Sequence, residues 1–359
     1  MRVTPLDFSL NDEQQMLRDM VERFAQERYP ASERPSHRIP EAGHVAGNWA
    51  VMANLGLLSL PFSADLGGIA GSPVELMVVA EAFGRGLVAE PLLAEVLMAG
   101  ALIASAGTDE QKQRWLPAIM AGEAHVALAF AEHRTRYDFD RSECRFTDGK
   151  LTGAKTFVMA GTRCDAFVVT TSDGPCLVSA DAPGIGRRAY RLVDDTPALE
   201  LTFDATPAEP MPGGLDALRA HIDALRVPIA AELVGLMTTL FNETLDYIKV
   251  RKQFEVAIGR FQAIQHRVAD QYLALEQSRS LLYRAAMASG PDGAKARLAA
   301  KSYIARAAVA VGEEAIQLHG GMGVTNELIV GHAHKRILVL ASLFGDSDTE
   351  ALRYMELAD

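Results

Sequence analysis

The stretch "RKQFEVAIGRFQAIQHRVAD" (residues 251–270) interrupts a long apolar helical pattern with a cationic turn and an aromatic residue. It puts Arg251 beside Lys252, Gln253 and Phe254. A cationic turn at a helix C-terminus complements the helix dipole. A guanidinium in the same place can also present its planar fork to a pyrophosphate, with Phe254 packing on a ring. A second stretch, "EEAIQLHGGMGVTNE" (residues 313–327), follows a helical run with Gly320, Gly321 and Gly323. Glycines there suit a helix C-cap. They also let main-chain N–H groups approach a phosphate, with Gln317 and Leu318 beside them.

Outward from these two stretches the chain reads as three parts. Residues 1–122 are mostly helix: "LNDEQQMLRDMVERFAQERY" returns Leu10, Met16, Leu17, Met20, Val21 and Phe24 at helical spacing, with Asn11 or Asp12 as cap. Ser72 and Pro73 open a further helix. Residues 123–212 are short segments rich in Val, Phe and Thr, punctuated by "DG" and "PG" turns. They predict a small β-barrel or sandwich. Residues 213–359 return to longer helices, four of them, and predict a four-helix bundle. The expected class is α+β, in the order helical domain, β domain, bundle. In the last turn, "LFGDSDTEAL" (residues 343–352), Ser347 and Glu350 have capping-box spacing.

The chain has 359 residues, 49% of them hydrophobic, enough for two or three cored domains. A net charge of -11 without a long basic run argues against wrapping nucleic acid. Cys144, Cys164 and Cys176 are widely spaced and lack metal-ligand spacing, which points to a reducing compartment. With no apolar signal core in "MRVTPLDFSLNDEQQ" and no run that reads as a membrane span, the expected location is the cytoplasm.

Taken together, in this order, the two stretches resemble the acyl-CoA dehydrogenase family, whose pattern is R-x-x-F-G, then F-Q near His and Asp, then Q-x-x-G-G-x-G. Here it stands as Arg251 to Phe254, Phe261-Gln262 with His266 and Asp270, and Gln317 to Gly323. "LGLLSLPFSADLGGIAG" and "DEQKQRWLPAIMAGE" are similar to segments of the family's N-terminal domain, so the resemblance spans the chain. It implies FAD as cofactor and α,β-dehydrogenation of an acyl-CoA thioester, with a glutamate taking the α proton and the flavin the β hydride. It also implies that a neighbouring subunit supplies the R-x-x-F and Q-x-x-G-G residues to the adenine half of the FAD. The matching positions are Arg251, Gln253, Phe254, Gln317, Leu318, Gly320 and Gly321.

Where the family carries its catalytic Glu, this chain has Gly345, preceded by Phe344 in place of Tyr. The alternative base position of a minority of members, one residue before the arginine matched by Arg226, is Leu225. The flavin-contacting T-E-P-x-A-G-S-D loop reads "AEHRTRYD" (residues 131–138), keeping only Glu132 and Asp138, and W-I-T becomes Phe157-Val158-Met159. The glycine after R-x-x-F is Glu255. Two acids are weak replacements for the base. Asp346 is adjacent to the vacated position, although capping the last helix is its better role. Glu232 shares a helix face with Leu225 but lies roughly 10 Å along the axis; Arg226 or another bundle residue is its expected partner, and Arg226 a weak substrate contact. What is kept serves a neighbour's cofactor; what is lost holds the ring and performs chemistry.

The leading expectation is therefore the base-lacking half-site subunit of a heteromeric (α2β2) bacterial acyl-CoA dehydrogenase, paired with a base-bearing homologue and served by an electron-transfer flavoprotein. A self-sufficient homotetramer with a displaced base, and a non-enzymatic scaffold, are the rivals.

Overall fold

The computed structural model describes residues 9–30, 39–159 and 162–357. The first eight residues of the stretch read for a signal core lie outside them.

Helix α1 (Asp12–Arg28) starts at Asn11, whose side chain accepts from Gln14 N while Gln14 returns the bond. After α2 (Ala46–Asn54), α3 (Pro73–Gly86) opens with the same reciprocal device at Ser72 and Glu75, and Pro73 in its first turn. A π-helical stretch, Leu92–Gly100, runs straight into α4 (Ala101–Ala106), and α5 (Asp109–Met120) completes this layer.

The β segment forms two four-stranded sheets. One orders β1 (Val126–Ala129), β4 (Ala166–Thr171), β5 (Gly174–Ser179) and β8 (Glu209–Pro210); the other orders β2 (Arg145–Thr147), β3 (Lys150–Met159), β7 (Pro197–Pro207) and β6 (Ile185–Arg191). Of the predicted barrel or sandwich, the sandwich is observed. Ala127, Ala129, Phe167 and Val169 of the first sheet share one core with Leu151, Leu199, Leu201 and Phe203 of the second. The alternate residues Val126, Leu128, Ala166 and Val168 turn the other way and join the helical core. This explains why β4 is buried along its whole length: both faces are covered, and its neighbour β1 runs parallel to it.

The C-terminal helices are α6 (Gly214–Val250), α7 (Gln262–Met287), α8 (Gly290–His319) and α9 (Ile329–Ser342), followed by α10 (Ser347–Glu356). Helix α6 is long and apolar enough to cross a membrane by length and composition, contrary to the expectation from sequence. Its apolar window is 78% buried, so it is the core helix of the bundle, apolar all round because neighbours surround it. Helix α3 crosses it at Gly84 and Gly235. A Cβ on Gly84 would come within 2.2 Å of Glu232 O, and one on Gly235 within 2.1 Å of Glu81 O, so the two backbones touch only because both residues are glycine.

Candidate functional site

Helix α6 ends because Arg251 takes an extended conformation, and a two-stranded ribbon follows: β9 (Lys252–Gln253) paired with β10 (Val256–Ala257). Its tip is Phe254-Glu255, with φ 52° and 68°. Such a turn favours Asn-Gly, and two bulky residues there are strained. Phe254 stands out in solvent, 88% exposed.

The end of α8 comes alongside. Tyr247 stacks on His319 with ring centroids 4.3 Å apart, tying the C-terminal turn of α6 to that of α8. Gly320 follows with φ 61°, and a side chain on Gly320 or Gly321 would meet nothing within 4 Å. Between the two helix ends lies a groove of about 460 Å³ lined by Arg251, Gln253, Gln317, Leu318, Gly320 and Gly321. Six of the seven cofactor positions expected from the sequence thus face one groove, and Phe254 stands on the ribbon beside it. Leu318 lines it with its side chain buried. Among the described residues Arg251 has no acidic partner, so its charge is free for a ligand. A cation, an amide and open glycine backbone suit a phosphate or pyrophosphate.

The vacated base position is the opposite kind of place. Phe344, at φ 61°, is buried and packs on Phe130 with centroids 4.5 Å apart; Phe130 in turn stacks on Tyr137 at 5.9 Å. Gly345 has φ 137°, a conformation other residues avoid. A Cβ added there would lie 3.0 Å from Glu350 Oε1 and 3.2 Å from Arg353 Nη1. Glu350, 1% exposed, accepts from Arg226 Nε, from Arg226 Nη2 at 3.3 Å and from Arg353 Nη1 at 2.6 Å. Asp223 joins Arg226 at 3.2 Å to Arg297 at 2.7 Å. Buried Lys301 donates to Ala341 O at 3.0 Å, and burial lowers its pKa to about 8.

These contacts correct the Ser347–Glu350 capping box, and they bear out Asp346 as the cap of the last helix and a bundle residue as the partner of Glu232. The cap of α10 is Asp346, not Ser347: its carboxylate accepts from Thr349 N at 2.8 Å and Thr349 Oγ1 at 2.7 Å, and these bonds hold its pKa below the ordinary value. Glu350 belongs to the buried ion network rather than to a capping box. Of the partners expected for Glu232, Arg226 or another bundle residue, the second is observed: Arg336 of α9, at 2.7 Å, which also reaches Asp194 at 3.2 Å. Although burial alone would lower it, the pKa of Arg336 is raised by the two carboxylates. Arg226 itself is committed to Glu350 and Asp223.

The positions matched to the flavin-ring loops are also filled. Ala131 is buried, its carbonyl taking Thr156 N at 2.8 Å. Burial pushes the Glu132 carboxyl up, but Lys155 at 2.6 Å, Ser142 at 2.6 Å and Glu143 N at 2.7 Å outweigh it and hold the pKa at about 2. Phe157 sits at φ 55° in a bulge of β3. The cleft next to Met159, Pro228, Glu232 and Arg336 has about 50 Å³ of room, enough for a few waters.

The pairing of Glu350 with Arg226 and of Glu232 with Arg336 was not legible beforehand, because 124 and 104 residues separate the partners. The i,i+3 spacing of Glu350 and Arg353 was the available hint.

Family models for the acyl-CoA dehydrogenase N-terminal and C-terminal domains match residues 11–123 and 213–356. Acyl-CoA dehydrogenase IpdE2 of Mycobacterium tuberculosis is 31% identical over 349 residues, covering 96% of each chain. A variant of the Tcur3481-Tcur3483 steroid ACAD superposes with a TM-score of 0.89 at 27% identity, covering 98% of both chains. The ChsE4-ChsE5 complex from Mycobacterium tuberculosis gives 0.89 at 24% identity and 99% of both, a likeness of fold. The class is that of FAD-dependent oxidoreductases acting on acyl-CoA thioesters. Within it, the chain belongs to the acyl-CoA dehydrogenase family.

Proposed function

We propose that this chain is the half-site partner in a heteromeric acyl-CoA dehydrogenase: it lends its groove to an FAD whose ring lies in a base-bearing homologous subunit. The observation that carries the proposal is the contrast between the two ends of the site. Arg251, Gln253, Gln317, Gly320 and Gly321 form an open groove, and Arg251 has no acidic partner among the described residues. The base position is closed by Phe130, Phe344 and the Glu350–Arg226 pair. The residues present fit the pyrophosphate and adenine end of FAD and do not fit its ring. When bound in the assembly, FAD supplies the two-electron acceptor. This chain's part is to bind and orient: Arg251 neutralises phosphate charge, and Phe254 packs against the neighbour.

The fates of Asp346 and Glu232 support the same reading over a displaced base. One is tied up as a helix cap and the other in an ion pair, so neither is free to take a substrate proton. Arg226, in the buried network, is structural in this reading rather than a substrate contact. The open groove with its free arginine disfavours a scaffold that binds nothing. The substrate of the assembly is an acyl-CoA thioester; the likeness to a steroid ACAD favours a bulky acyl group. Its electrons pass to an electron-transfer flavoprotein, and the cytoplasm is its location.

Arg251→Ala tests the groove. In the assembly co-purified with its partner, FAD affinity is expected to fall at least about tenfold, since a charge-assisted phosphate contact contributes about 1.5–3 kcal/mol. Unchanged FAD content and affinity would rule the groove out as an FAD site.

A further inference from the structure

A second cluster of ligand-type side chains lies away from the groove and the base position, where the N-terminal helices meet the sandwich. His44 precedes α2, Glu95 projects from the π-helical stretch, and His125 immediately precedes β1. One ligand atom from each lies within 4.8 Å of the other two. The three residues are 7%, 3% and 2% exposed. We infer that His44, Glu95 and His125 form a binding site for one divalent transition metal ion, of which Zn²⁺ is the best match.

Several independent features support this. Two imidazoles and one carboxylate are a donor set that zinc takes readily, with water in the fourth position. His44 Nδ1 is buried without a well-formed hydrogen bond among the described residues, the Ala42 carbonyl being the polar group near the ring, so a ligand would improve its pairing. Glu95 stands on a widened π turn, a geometry that recurs at functional sites. The surroundings are fixed: Asp165 Oδ2 accepts from the main-chain N–H of His125 at 2.8 Å and holds its backbone, and Trp49 packs within 6.0 Å of both imidazoles as an apolar wall.

Without metal, a proton bridges His125 Nδ1 and Glu95 Oε2 at 2.7 Å, and the His44 ring stacks on His125 at 4.3 Å. Binding displaces that proton and turns the His44 ring out of the stack, so that both nitrogen lone pairs converge. The ion would clamp the N-terminal helices to the first strand of the sandwich.

The test uses untagged full-length protein, stripped with chelator, equilibrated with ZnCl₂ and desalted, with metal measured by mass spectrometry. One zinc per chain is expected. His44→Gln and Glu95→Gln should each weaken retention at least about tenfold. Wild-type protein that retains no zinc, or variants that retain it as well as wild type, would overturn the site. Should either variant fail to fold, Co²⁺ added to the wild type decides. Intense visible bands of a low-symmetry four-coordinate ion support the site; the weak spectrum of the free hydrated ion refutes it.

Discussion

Gly345 is more than a base that went missing. Its φ of 137° and the 3.0 Å approach of Glu350 Oε1 to a notional Cβ make glycine the residue this turn requires. Gly345→Glu is therefore expected to give no dehydrogenase activity and to lower stability by about 1–3 kcal/mol, read from chemical denaturation. Turnover from that single variant would show that the pocket is open after all. Glu132 and Lys155 supply a second residue-scale prediction. The folded pKa of Glu132, about 2, lies below its ordinary 4.5, so the native state favours the ionised carboxylate. Its contribution to stability is complete above 4.5 and is lost as pH falls from there toward 2. Glu132→Gln should flatten that part of the stability–pH curve; an unaltered acid limb would mean that the pair is not coupled to folding.

At the scale of elements, the ribbon between α6 and α7 stores local strain at its tip. Glu255→Gly places glycine where the turn wants it and should raise stability by about 0.5–1 kcal/mol, measured by denaturant midpoint, while leaving Phe254 exposed. Lower stability would mean that the tip conformation is not strained. Helices and caps were the legible part of this chain. Asn11, Ser72 and Pro73 announce their helices through local side chain–main chain bonds, and the ends of α6 and α8 carry their glycine, arginine and glutamine in plain view. Glu350 was misread because local spacing offers a cap, while burial and distant guanidiniums decide. The His44, Glu95 and His125 cluster was invisible for the same reason: its members fall on three elements and have no motif spacing.

At the scale of the molecule, the order of helical layer, sandwich and bundle was readable from periodicity changing from helical to alternating and back. That the sandwich shares one sheet with the helical core was not, since β4 reads as a short apolar run whichever face is covered. The whole chain, in the function proposed for it, is a donor to a neighbour's cofactor. That central claim is tested most directly by the FAD-to-protein ratio and flavin absorption of this protein purified alone and after co-expression with a base-bearing homologue. Little or no FAD alone, and one FAD per pair on co-expression, is the predicted result. One FAD per chain in the protein purified alone would contradict it.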